Sequence, residues 1–197
     1  MSHYYSEKQD TKFVSKLINI KLKETQFELY SAPGVFSKDK LDNGTKLLIE
    51  KCEINENDEV LDLGCGYGVV GIAIKKMYPD TNIFMVDVNK RAVKLTKINL
   101  KLHKLSDVKV TNSDLYKKID KKFNVILSNP PQSAGKELCF NIITQAKNYL
   151  EKNGSLQIGA RHQKGGKDLS KKMNEIFGNV GEIAKGSGFR VYISYNK

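Results

Sequence analysis

From position 59 onward the chain alternates short apolar runs with longer stretches whose apolar positions recur every three or four residues. Glu59-Val-Leu-Asp-Leu63 is a compact apolar run that stops at glycines, the pattern of a strand buried on both faces. Val69 to Met77 predicts a helix that ends at Tyr78-Pro79, because proline has no N–H with which to continue it. Asn82 to Asp87 predicts the next strand. From Lys90 to Leu102, apolar residues at Ala92, Val93, Leu95, Ile98, Leu100 and Leu102 are interleaved with lysines, as in an amphipathic helix. Further strands are expected at Val108 to Val110 and Phe123 to Leu127. A helix over Lys136 to Leu150, closed by Asn153-Gly154, leads into a strand over Ser155 to Ala160. A helix over Leu169 to Phe177 ends at Gly178. Two strand-like segments follow, Asn179 to Ala184 and Phe189 to Tyr195, with Gly186 and Gly188 between them.

This alternation predicts an α/β three-layer sandwich with a Rossmann-like, mostly parallel seven-stranded sheet. The short glycine turn between the last two strands requires the last to run antiparallel. The first 45 residues break the pattern. Lys21 to Tyr30 reads as a strand and Ser31-Ala-Pro-Gly-Val-Phe-Ser37 as a loop. Too short to bury a core of their own, residues 1–45 are expected to form an N-terminal extension packed on a domain spanning 46–197.

A length of 197 residues suits one domain, and 40% hydrophobic with 28% charged residues excludes disordered and fibrous classes. The net charge of +11 favours a polyanionic partner, nucleic acid first, although lysine also serves simply as a solubiliser. Cys52, Cys65 and Cys139 are widely spaced, and His3, His103 and His162 are scattered, so no metal-site spacing is present. Free thiols, a polar Met1 to Asp10 and the lack of a spanning apolar run lead to an expectation of a soluble cytoplasmic protein, monomeric or homodimeric, with no membrane partner.

Asp62-Leu-Gly-Cys-Gly-Tyr-Gly68 joins the first strand of the alternation to its helix. Glycines there let the backbone turn sharply and approach a ligand closely. Asp87 ends the second strand, where a carboxylate accepts both hydroxyls of a ribose. Gly66-Tyr-Gly-Val-Val-Gly71 also fits the dinucleotide pattern. Asp62 decides against that reading, because it would repel a pyrophosphate and attract an ammonium group. S-adenosylmethionine carries that ammonium group; a nicotinamide dinucleotide carries the diphosphate.

The glycine loop with Asp87 resembles the class I S-adenosylmethionine-dependent methyltransferases. Asn129-Pro-Pro131 resembles the (D/N/S)-P-P-aromatic motif of their N-methyltransferase branch. Pro33-Gly-Val-Phe-Ser37, Leu41-Asp-Asn-Gly-Thr45, Asn129-Pro-Pro-Gln-Ser-Ala-Gly135 and Phe189-Arg-Val-Tyr192 narrow the resemblance to the methyltransferase small domain family, which includes ribosomal RNA guanine-N2 methyltransferases. The resemblance spans Pro33 to Tyr192. It implies that Asp62 faces the methionine ammonium and that Gly64, Cys65, Gly66 and Gly68 line the cofactor. Asp87 and Val88 would lie at the ribose, Asp114 at the adenine amino group, and Phe36 beside the cofactor. Asn129, Pro130 and Pro131 would form the catalytic motif, with Asn129 also against the cofactor.

An exocyclic amine is a poor nucleophile, since its lone pair is delocalised into the ring. The Asn129 side-chain oxygen and the Pro130 carbonyl could each accept one of its N–H bonds. The lone pair would then be aimed at the sulfonium methyl, and positioning would supply most of the rate. The expected function is therefore methyl transfer to an exocyclic amine of an RNA base, guanine N2 in ribosomal RNA first. One departure matters: Gln132 stands where the family usually has an aromatic that stacks on the base. Phe36, Tyr5 and Phe189 are the candidate replacements. Lysines at 90, 94, 97, 101 and 104, and Gln163-Lys-Gly-Gly-Lys167, suit RNA phosphate or a solvated surface. Tyr67 and Cys65 read as packing. Rival readings are N-methylation of a protein glutamine amide, a non-catalytic RNA-binding or assembly factor, and a nicotinamide-dependent oxidoreductase.

Overall fold

The computed structural model describes residues 3–23 and 25–197. Two antiparallel strands come first, β1 (Lys16–Lys21) and β2 (Gln26–Ser31), paired from Lys16 with Ser31 to Lys21 with Gln26. The single strand expected over Lys21 to Tyr30 is therefore one arm of a hairpin. Its alternating residues Ile18, Ile20, Phe27 and Leu29 are buried, as a period of two requires when one face meets a core.

Helix α1 (Asn43–Lys51) was not expected, and it straddles position 45. Its N-cap, Asp42, accepts a hydrogen bond from Thr45 N at 2.9 Å. Gly44 hides the helix in the sequence but is required by packing: a Cβ there would lie 2.5 Å from the Phe189 ring.

The main sheet comprises β3 (Glu59–Leu63), β4 (Asn82–Asp87), β5 (Lys109–Asn112), β6 (Phe123–Ser128), β7 (Leu150–Arg161), β8 (Gly181–Gly186) and β9 (Phe189–Tyr195). Their order is β5-β4-β3-β6-β7-β9-β8. Only β9 runs against its neighbours, as the glycine turn before it requires. The hairpin, α1, α2 (Val69–Met77) and α3 (Lys90–Leu102) share one buried cluster. Helices α4 (Lys136–Ala146) and α5 (Gly166–Phe177) fill the cluster on the opposite face. Neighbouring strand residues divide between them: Val60 and Val125 join the first, Leu61 and Ile126 the second.

Several boundaries differ from expectation. Helix α4 stops at Ala146, and β7 already begins at Leu150. Asn153-Gly154 does not close the helix; it forms an irregularity inside the strand, where Phe123 pairs with Leu150 but Val125 with Ser155. Helix α5 starts three residues early, behind Gly165 at φ 105°.

Candidate active site

The chain leaves β3 toward one flank of the sheet and β6 toward the other, so a crevice opens at their C-terminal ends, the usual ligand position in such sheets. Asp62, Gly64, Cys65, Gly66, Asp87 and Val88 line this cavity from the β3–β4 side, and Asn129, Pro130 and Pro131 from the β6 side. Phe36 and Asp114 also reach it. The predicted residues thus meet in one place, with one exception.

That exception is Gly68. It caps α2 at φ 90°, and a Cβ there would come 2.9 Å from Thr96 Cγ2 on α3. Its role is close helix packing. Gly64 and Gly66, at φ 79° and 59°, have nothing within 4 Å of a built Cβ, so they form an open cradle that side chains would fill.

Asp62 is buried, and its Oδ2 accepts Gly71 N–H at 3.0 Å. The first turn of α2, which would face a pyrophosphate in a dinucleotide enzyme, is therefore already engaged by a carboxylate. Gly71 itself is present for packing, since a Cβ would lie 2.7 Å from Met85 Sδ. Burial pushes the Asp62 carboxyl up to about 7, the Gly71 hydrogen bond opposing and Asp87 adding to the shift. Asp87 accepts Gly66 N–H on Oδ2 and Asn89 N–H on Oδ1, both at 2.8 Å, and burial raises it to about 6. A buried and a half-buried carboxylate above an open glycine cradle suit a ligand that brings its own positive charge and hydroxyl donors, as S-adenosylmethionine does.

Asp114 lies at the rim with its Oδ2 2.6 Å from Lys117 Nζ. Cys65 is buried beside Thr96, and its thiol is pushed well above the ordinary range by burial and by Asp87 and Asp62, so it is a filler and not a nucleophile.

Asn129 Nδ2 donates to Thr45 Oγ1 at 2.7 Å and to Asp42 Oδ2 at 3.2 Å. Both amide hydrogens are thereby used on the α1 cap, which leaves Oδ1 as the free acceptor. The Pro130 carbonyl already accepts Gln132 N–H at 2.8 Å, so one lone pair remains for a ligand. Gln132 is turned away from the cavity. It donates to the carbonyls of Arg161 and Lys164 at 3.2 and 2.9 Å and accepts Arg161 N–H at 2.8 Å, clamping the loop before α5.

Of the three rings considered in place of an aromatic at 132, Phe189 is buried under Arg161 and away from the cavity, whereas Phe36 and Tyr5 line it. Tyr4, which sequence reasoning missed, lines it too, 5.3 Å from the Phe36 ring. Asn89, buried at the N-cap of α3, donates from Nδ2 to the carbonyls of Tyr4 and Gly34, both at 2.8 Å. Arg91 adds bonds to Pro33 O and Thr11 Oγ1, both at 2.6 Å. A strap of residues 3–12 and the Pro33–Ser37 loop are so held over the mouth. Tyr67 also lines the cavity; its buried hydroxyl has no hydrogen-bond partner among the described residues. The signals for Asp42 and Thr45 were present, an N-cap residue three positions before a hydroxyl, but nothing local shows that they reach Asn129.

The methyltransferase small domain model matches residues 26–193. The chain belongs to that family. It is an S-adenosylmethionine-dependent methyltransferase by family and fold. It is 35% identical over 192 residues to the uncharacterized protein YbxB of Bacillus subtilis, covering 96% of both chains. It is 37% identical over 168 residues to ribosomal RNA small subunit methyltransferase C of Haemophilus influenzae, covering 83% of this chain and 50% of that one. The 16S rRNA N2 G1207 methyltransferase of T. Thermophilus, solved with AdoMet and guanosine, superposes with a TM-score of 0.80 at 19% identity, over 95% of this chain and 52% of that one. The chain thus spans about half the length of these methyltransferase relatives. Among the described residues no helix is long and apolar enough to cross a membrane.

Proposed function

We propose that the protein methylates an exocyclic amine of an RNA base, with guanine N2 in ribosomal RNA as the acceptor. The observation that carries this reading is the orientation of Asn129, whose amide hydrogens are both spent on Asp42 and Thr45. A group presenting two N–H bonds fits an acceptor pair made of Asn129 Oδ1 and the remaining lone pair of Pro130 O. Bound in the cradle, S-adenosylmethionine supplies a methyl group on positively charged sulfur. The residues of this chain supply the alignment. Asn129 and Pro130 hold the amine so that its lone pair leaves the ring plane toward the cavity, and two prolines stiffen the acceptors. Growing positive charge on nitrogen meets the two carbonyl dipoles and, behind them, the Asp42 carboxylate. As the C–N bond forms, the sulfur–methyl bond breaks and its electron pair stays on sulfur as a neutral thioether; Asn129 takes no proton, so the amine then gives one of its own to solvent. A net charge of +11 supports a polyanionic acceptor, and the names of the relatives point to small-subunit ribosomal RNA. The N-terminal extension 1–45 and the domain 46–197 act together in this reading, since Tyr4 and Phe36 line the cavity and Asp42 holds Asn129.

The decisive experiment offers methyl-labelled cofactor with undermethylated small-subunit RNA and, separately, with total protein. Label in RNA, recovered as N2-methylguanosine after digestion, is the expected result. Label in protein alone transfers the reading to a glutamine amide, the other planar N–H pair that fits the acceptors.

A further inference from the structure

We propose that Tyr4, backed by Phe36, is the stacking surface for the target base, taking the place of the aromatic that position 132 lacks. This rests on the reading of the site as one for an RNA base amine. Gln132 is excluded from that role by its three hydrogen bonds to the 161–164 backbone, which hold it away from the cavity. Phe189 is excluded by its burial under Arg161. Tyr4 meets the requirement. Its ring lines the cavity shared with Asn129 and Pro130, and its hydroxyl lies 3.1 Å from Ser133 Oγ in the loop after the prolines. Its other neighbours are aromatic: Phe36 at 5.3 Å with planes 43° apart, and Tyr5 edge-on at 5.1 Å. Phe36 is 38% exposed, one of four large apolar side chains left so among the described residues, and it borders the same mouth. The Tyr4 main chain is fixed by Asn89, so the ring is presented on a held backbone. A planar base inserted between this ring and the two acceptors has one face stacked and its amine at Asn129, the two contacts that an extruded base needs.

The test uses the full chain with undermethylated small-subunit RNA. Tyr4→Ala is expected to raise KM for RNA about tenfold or more, the loss that follows removal of one base–aromatic stack. Cofactor affinity should change less than about twofold, and Tyr4→Phe, which restores the ring, should recover most of the loss. The chain contains no tryptophan, so Tyr4→Trp places a single indole at the site. Its emission, recorded with cofactor saturating, should be quenched as RNA is added. An unchanged KM in Tyr4→Ala overturns the proposal, as does an indole indifferent to RNA. A cofactor affinity that falls as far as KM rises also overturns it, making Tyr4 a roof over the cofactor alone. A wild-type chain that labels no RNA removes the underlying reading itself, an outcome distinct from a labelling wild type with an indifferent variant.

Discussion

The side-chain amide of Asn129 donates to the hydroxyl of Thr45 at 2.7 Å, across 84 residues of chain. This contact and the one to Asp42 turn the cap of α1 into the support of the acceptor motif. Asn129→Ala should keep cofactor affinity and lose at least about 100-fold in kcat, the scale of a lost preorganised group. Thr45→Val leaves Asn129 in place but removes one of its two anchors. It should lower kcat about 3- to 10-fold, in line with roughly 0.5–1.5 kcal/mol for one hydrogen bond. Asp42→Ala adds the loss of the cap and should destabilise the fold by about 1 kcal/mol in thermal or denaturant unfolding. Full activity in all three would remove Asn129 from the reaction.

Asp62 and Asp87 make the cofactor-free protein sensitive to pH in an unusual direction. Burial raises both above their unfolded values, to about 7 and about 6. The folded chain therefore holds these protons longer than the unfolded chain does. Their contribution to stability is fully present below about pH 4 and is lost as pH rises through roughly 6–7. Added cofactor should reverse the trend, because its positive charge favours ionised Asp62. Its affinity should rise between pH 5.5 and 8, and its stabilising shift in Tm should grow with it. Asp62→Asn should flatten both curves; calorimetric titrations at several pH values against the same variant check this.

Gly64 and Gly68 stand four residues apart with similar φ, and their substitutions should fail differently. Gly64→Ala places a methyl group in the open cradle and should weaken cofactor binding beyond its effect on stability. Gly68→Ala combines strain of about 1–3 kcal/mol with a clash against Thr96, and should lower Tm first. Paired melting and binding measurements separate the two.

Gln132 holds the loop before α5 by its side chain alone. Gln132→Ala should speed amide hydrogen exchange at Arg161 about tenfold or more, as the N–H that it accepts becomes free. Exchange at Gly66 and Gly71, on the cofactor side, should not change.

The sheet and its helices were legible from position 59 because each apolar run has the period of the element it forms. What escaped was set by contacts distant in sequence. Asp42-Asn-Gly-Thr45 shows no helical period of its own, and only the Phe189 ring explains a glycine inside a helix. Asn153-Gly154 carries a stop signal that the pairing of β7 with β6 converts into a bulge. The glycine loop, Asp87 and the Asn-Pro-Pro motif were readable as candidates because their residue types suggest their chemistry, and the fold brings them to one cavity. Tyr4 was not, since an aromatic in a polar segment has no periodic pattern to join; it is the buried side chain of Asn89 that brings it over the mouth.

The strand order divides the molecule into two inheritances. Asp62 and Asp87 lie in β3 and β4 and Asp114 follows β5 on one side of the crevice, while Asn129 follows β6 on the other, backed outside the cavity by the contact of Gln132 with Arg161 at the end of β7. In the proposed reaction the methyl donor is thus served by one half of the sheet and the acceptor by the other. A lineage built on this plan can exchange what it modifies, by rewriting the ends of β6 and β7, while its source of methyl groups stays the same.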